Sequence, residues 1–412
     1  MSTRGSLPAF KVIARALRTT TERLAGEVVN PSSTAPAWND FEWGVARAVS
    51  AMHGLGALLA NRLQWRGPQP WTTFLDEQRD HGRAHYERAG VILGDLDAAA
   101  RRAGIACIAL KGSALRALDL HQPGERPMGD IDLLVSPRDV PGCNGMLAQI
   151  GYAPAYSMHR HDVFAPIDRH EPHPYAEHTR NPLRIEVHTH IAENLPVTAV
   201  DITHQLWPAS THPGINGYVS RASLLRHILL HTAGNMRAHA LRFIQLYDIA
   251  QLGRRLQPDE WRELLGSRNS RADSWWIYPP LSLAERYVPG SIPAEVLASF
   301  RAACPFGLRM SARHYDLYQV SWSNLRIAAL PGSAWARTPL ELLRLTKSRL
   351  LPSRVALQEL SEAARVQPSI QQLRWYGASH FERILRWAFS RPPRVQTMVS
   401  VRAALEGTPP HS

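Results

Sequence analysis

Arg126-Pro127-Met128-Gly129-Asp130-Ile131-Asp132-Leu133-Leu134-Val135 is the stretch on which the reading of this chain turns. Its second half has the composition of a strand, an apolar, partly β-branched run opened by Pro and Gly. On a strand, residues two apart project to one face, so Asp130 and Asp132 point the same way and Ile131 the other. The continuous run Leu133-Leu134-Val135 suits a strand covered on both sides once it has passed the acidic pair. Two carboxylates at the mouth of an otherwise buried strand form a place to hold a cation.

Upstream, the apolar stretch from Ile105 to Leu110 meets Lys111-Gly112-Ser113 and then Ala114-Leu115-Arg116-Ala117-Leu118, a good helix former. The junction reads as a strand-to-helix turn. Gly112 permits close backbone approach, Ser113 can cap the helix or donate its hydroxyl, and the free N–H groups of the first turn face an anion. Lys111 adds a point charge beside them and is one of three lysines (Lys11, Lys111, Lys347) among 47 basic residues. Downstream, Arg184-Ile185-Glu186-Val187-His188 alternates, with Arg184, Glu186 and His188 on one face. Glu186 reaches the acidic pair if the two strands are neighbours. Hard divalent ions prefer oxygen ligands, and two such ions can stabilise both the attacking and the leaving oxygen of an in-line displacement. Asp130 and Asp132 would hold both ions, while Glu186 completes one of them and is the candidate base.

A lone Asp-x-Asp is usually a solvated strand end, and Gly-Ser before a helix is usually an ordinary cap. Their conjunction and order carry the argument. Lys111 to Leu115, Arg126 to Val135 and Glu186 to His188 resemble the motifs of the uncharacterised nucleotidyltransferase family of the DNA polymerase beta-like superfamily, over residues 100 to 250. That resemblance implies an α+β fold, a small mixed sheet with packed helices, flanked by helical N- and C-terminal regions. It implies Mg²⁺ (two ions, with Mn²⁺ as the alternative) at Asp130, Asp132 and Glu186. It places the phosphates of a nucleoside triphosphate (NTP) at Lys111, Gly112 and Ser113, with Arg126 as a further contact. The implied reaction passes a nucleoside monophosphate, AMP being one candidate, to a hydroxyl of a small molecule, saccharide or peptide and releases pyrophosphate. Two other readings stand beside it: AMP transfer to a partner protein, as in antitoxin-type relatives, and a non-catalytic nucleotide- or RNA-binding protein. The chain departs from the family pattern at His121-Gln122-Pro123, where an aromatic residue is expected before the proline, and at Thr189, where the family tends to Trp.

The rest of the chain divides into a helical N-terminal region (1–100), the core (101–210) and a helical C-terminal domain (211–412), with Pro208 to Gly217 as the clearest boundary. Leu224, Leu225, Ile228 and Leu229, then Leu241, Ile244, Asp248 and Leu252, mark two helices beyond it. Their polar members His231, Arg242 and Asp248, with Arg184 and His188 on the Glu186 strand, are candidates to line an acceptor or nucleotide cleft. Capping and interhelical bonding are the alternative for the three helical ones. Histidines crowd residues 159–190 (His159, His161, His170, His173, His178, His188, His190), but Pro166, Pro172 and Pro174 favour a loop over a zinc cage.

At 412 residues the chain exceeds one typical core, and 44% hydrophobic against 20% charged residues excludes a disordered class. Cys107, Cys143 and Cys304 have neither zinc-site nor disulfide spacing. No export signal and no apolar run of membrane-spanning length is visible, so a cytoplasmic enzyme is expected. The net charge of +12 is spread over scattered arginines, so no specific nucleic-acid partner is predicted. Residues 338–351 form a basic amphipathic segment, read as a packed helix with peripheral membrane contact as the minor alternative.

Overall fold

In the computed structural model, Ala106–Ala109 (β1) and Asp130–Val135 (β2) pair antiparallel at the centre of a six-stranded sheet. Described are residues 8–158, 161–168, 176–266, 273–322, 332–352, 379, 381–382, 384–385 and 395–406. Arg184–His188 (β5) runs parallel to β2 on its other side. His161–Pro166 (β4) and Tyr152–Ser157 (β3) continue the sheet antiparallel, and Gly214–Asn216 (β8) closes the far edge parallel to β1. Ala192–Asn194 (β6) and Ala199–Asp201 (β7) form a separate hairpin. The fold is α+β, a mixed sheet with helical flanks.

The pleat sorts the side chains of β2 into two cores. Ile131, Leu133 and Val135 pack with Ala89, Leu96, Ala99 and Ala100 of the long helix Gln69–Ala103 (α4) and with Cys143, Met146 and Leu147 of Val140–Gln149 (α6). Pro70 in the first turn and Gly104, left-handed at φ 69°, set the two ends of α4. Leu134 and its neighbours Ile108 and Leu110 face the opposite way, into a larger core. That core joins Phe10–Val29 (α1), Asp40–His53 (α2) and Gly56–Arg62 (α3) to Arg221–Ala238 (α7) and Phe243–Gly253 (α8). The N- and C-terminal helical regions are thus one body: Trp322 donates to Thr21 at 3.1 Å, and Arg47 to the Ala404 carbonyl at 2.7 Å.

Three stretches singled out in the sequence take defined places in the fold. The stretch 208–217, read as a boundary, contributes strand β8, and its Asn216 side chain ties the carbonyls of His212 and Gly214 together. The histidine-rich segment is not simply a loop: His161–Pro166 is a strand that Pro166 ends. His159, His170, His173, Pro172 and Pro174 lie outside the described residues. Residues 339–350 form the predicted helix, packed through Leu345 and through Glu341, which accepts from Arg337 and Thr198. Leu340 and Leu343 remain exposed on it. Among the described residues no helix is long and apolar enough to cross a membrane.

Candidate active site

Register decides the site. Asp132 stands directly across from Glu186, Asp130 from Arg184 and Leu134 from His188. The three carboxylates therefore share one face of two paired strands, at the end where the strands leave the core. That face looks onto α7 and α8 across a cleft of about 460 Å³. Asp130, Asp132, Glu186 and His188 line one wall, with His231 and Asn235 of α7 and Gln245 and Asp248 of α8 opposite.

Lys111 opens the helix Lys111–Ala117 (α5) in a left-handed conformation, φ 44°, which a residue with a side chain adopts at a cost. Two contacts hold it there. Its N–H donates to the Tyr218 hydroxyl at 3.3 Å, which itself hydrogen-bonds His227 Nδ1 at 2.7 Å, and its Nζ reaches Asp132 Oδ1 at 2.8 Å. His188 Nε2 donates to the same Asp132 oxygen at 2.9 Å. Burial alone would raise the Asp132 carboxyl, but the Lys111 ammonium and the His188 bond outweigh it and hold the group well below the usual range. Asp130 accepts no such hydrogen bond among the described residues. Burial and repulsion from Asp132 and Glu186 outweigh the charges of Lys111 and Arg126 and push its carboxyl up to about 7. A hard divalent cation would relieve that repulsion.

Arg126 is the second cation of the cleft. Its Nε lies 3.0 Å from both Asp248 oxygens and its Nη2 2.9 Å from Oδ2, while His121 Nε2 donates to Oδ1 at 2.8 Å. Burial would raise the Asp248 carboxyl, yet Arg126 and His121 keep it below its ordinary value. The guanidinium lies over Gly112, where an added Cβ would come 2.5 Å from Nη1. A side chain at 112 would displace the guanidinium from this position. Arg242 also lines the cleft, with its Nε on the Met52 carbonyl at 3.1 Å. Burial lowers the imidazole pKa of His231 to about 3, so this ring enters the cleft neutral.

Of the residues singled out in the sequence, Lys111, Gly112, Arg126, Asp130, Asp132, Glu186, His188, His231, Arg242 and Asp248 line the cleft. Arg184 and Ser113 do not. Arg184 starts β5 beside Asp130 without reaching the lining. The Ser113 side chain lies on the other side of α5, at a second, mainly apolar cavity of about 580 Å³, and its buried Oγ has no hydrogen-bond partner among the described residues. The helical turn that aims Gly112 at the cleft turns the Ser113 side chain away from it. Glu193, Tyr218 and His227 were not singled out in the sequence, and His161 only as one of a histidine-rich run. His161 joins the site only through the β4–β5 register, which sets it opposite His188, and no spacing in the sequence encodes that pairing. Departure from the family pattern at His121 has a structural role as the second partner of Asp248.

Neither the curated proteins nor the solved structures give a significant match. A family model described as an uncharacterised nucleotidyltransferase matches residues 39–289, which takes in α3, α4, the whole sheet, α7 and α8. With the Gly112 turn, the aspartate strand and the Glu186 strand all inside that span, the chain belongs to this family and is a nucleotidyltransferase.

Proposed function

We propose that the protein transfers a nucleoside monophosphate from an NTP to a hydroxyl group in the 460 Å³ cleft, with release of pyrophosphate. The observation that carries this reading is the pairing of Asp132 with Glu186 across β2 and β5, with Asp130 on the same face. Asp130, Asp132 and Glu186 would hold two Mg²⁺ ions, and such ions supply Lewis-acid stabilisation of the charge that develops on the phosphoryl oxygens. Lys111 and Arg126 provide fixed positive charge for the triphosphate, Arg126 pre-oriented by Asp248 and Gly112 letting the chain approach closely. Glu186 accepts the proton of the attacking hydroxyl as the new O–P bond forms and the bond to pyrophosphate breaks. The opposite wall, with His231, Asn235, Arg242 and Gln245, offers neutral and cationic hydrogen-bonding groups suited to a polar acceptor of small-molecule, saccharide or peptide type.

The test is incubation of the protein with α-³²P-labelled NTPs, Mg²⁺ and fractionated cell extract. Label on a small molecule is the expected result. Label on a protein band favours transfer to a partner protein instead, and label nowhere with tight nucleotide binding contradicts catalysis.

A further inference from the structure

Beside the three-carboxylate site stands a donor set of different chemistry. His161 on β4 and His188 on β5 are directly opposed in register, with ring centroids 4.8 Å apart, and Glu186 lies next to both. Glu186 Oε2 is 3.5 Å from His161 Nε2 and 3.6 Å from His188 Nε2, and one ligand atom from each residue falls within 4.8 Å of the others. These separations are too long for hydrogen bonds, which close at about 2.7–3.2 Å. They match the edge of a tetrahedron. Two donors about 2.1 Å from a common ion at the tetrahedral angle are about 3.4 Å apart, whereas the octahedral edge around Mg²⁺ is about 3.0 Å. His161 Nε2 makes no hydrogen bond shorter than this contact among the described residues, so its lone pair is available to a cation.

We propose that His161, Glu186 and His188 bind one borderline divalent cation of the Zn²⁺ type, in preference to Mg²⁺. Two imidazole nitrogens and one carboxylate make a three-ligand set, and all three residues line the cleft, so the fourth position faces substrate or water. His188 must give up the Nε2 proton that it now donates to Asp132. Occupation of the site therefore frees one side of Asp132 and leaves that carboxylate to Lys111. The proposal rests on the nucleotidyl-transfer reading only in sharing Glu186.

The test uses the full-length, metal-stripped protein titrated with CoCl₂, because cobalt(II) reports its geometry by visible absorption. One equivalent with intense tetrahedral bands in Mg²⁺-free buffer is expected, with Mg²⁺ competing only weakly because it shares Glu186 alone. His161→Ala and the milder His161→Gln, each checked for folding by circular dichroism, should lower Co²⁺ affinity by roughly tenfold or more, as even outer-shell changes at metal sites do. Asp130→Asn should keep the spectrum. A weak octahedral spectrum, or a tetrahedral one unaffected by both His161 variants, overturns the proposal. Failure here with intact Mg²⁺-dependent transfer leaves the transfer reading standing, and a tetrahedral spectrum without any transfer does the reverse.

Discussion

Asp248 anchors Arg126 at the cleft, and its removal gives the sharpest quantitative test of how the site is built. The carboxylate is 2% exposed and accepts from Arg126 and from His121, so Asp248→Ala leaves a guanidinium facing an empty space. Breaking a buried ion pair from one side costs about 3–5 kcal/mol. Arg126 keeps 18% of its side chain open to the cleft, where water can partly replace the lost partner, which lowers the expectation to about 2–4 kcal/mol. Asp248→Asn retains an acceptor and should lose about 1–2 kcal/mol. Urea unfolding at neutral pH measures both, and a double-mutant cycle with Arg126→Ala should return a coupling of about 2 kcal/mol. Because the folded carboxyl lies below its ordinary 3.8, this stabilisation is fully present above that pH and is lost as the pH falls through the lower folded value. With Arg126 unclamped, KM for NTP should rise more than kcat falls. A loss below about 1 kcal/mol, or additivity of the two substitutions, would refute the anchoring role.

Asp130 gives the opposite pH signature. Its folded carboxyl is raised from 3.8 to about 7, so the unfolded chain loses the proton first and the group's contribution to stability declines as pH rises across that window. Asp130→Asn should therefore raise the Tm of the metal-free protein at about pH 8, with the gain fading towards pH 4; a fall in Tm at pH 8 contradicts the crowding of the three carboxylates. At Gly82 on α4 an added Cβ would sit 2.5 Å from the Gly124 carbonyl oxygen, in the loop that carries Arg126. Gly82→Ala should cost about 1–3 kcal/mol by thermal or urea unfolding and also weaken NTP binding, and an unperturbed variant would show that the loop is not seated on α4. Ser113→Ala should leave KM for NTP within about twofold of wild type, whereas a rise of about tenfold would put the hydroxyl back on the phosphate.

The shared face of the three carboxylates was legible in the sequence because its logic is local. The pleat fixes the common face of Asp130 and Asp132, and the alternation of Ile185, Glu186 and Val187 fixes the face of Glu186. Strand order is not local. That β5 lies parallel beside β2, and that β4 follows on its far side, depends on crossovers that no periodicity records, so His161 was read only as part of a histidine-rich loop and Glu186 stayed conditional. The direction of Ser113 was unreadable for a related reason: the residue type suits an anion site, but its direction is set by where the first helical turn begins, and here Lys111 takes the first position. Strand β8 was missed because three residues, with Gly214 at φ 113°, carry too little alternation to stand out from a turn. Among the helical residues, Asp248 combined the two alternatives, since its bonds to Arg126 and His121 hold Arg126 in the cleft.

The central claim is that Asp132 and its two neighbouring carboxylates carry nucleotidyl transfer. The most direct measurement is NTP- and Mg²⁺-dependent pyrophosphate release in the presence of the acceptor fraction, by wild type and by the Asp130→Asn/Asp132→Asn double variant, with folding of both verified. The account predicts release by the wild type and none above background by the variant; equal release by the two proteins would contradict it.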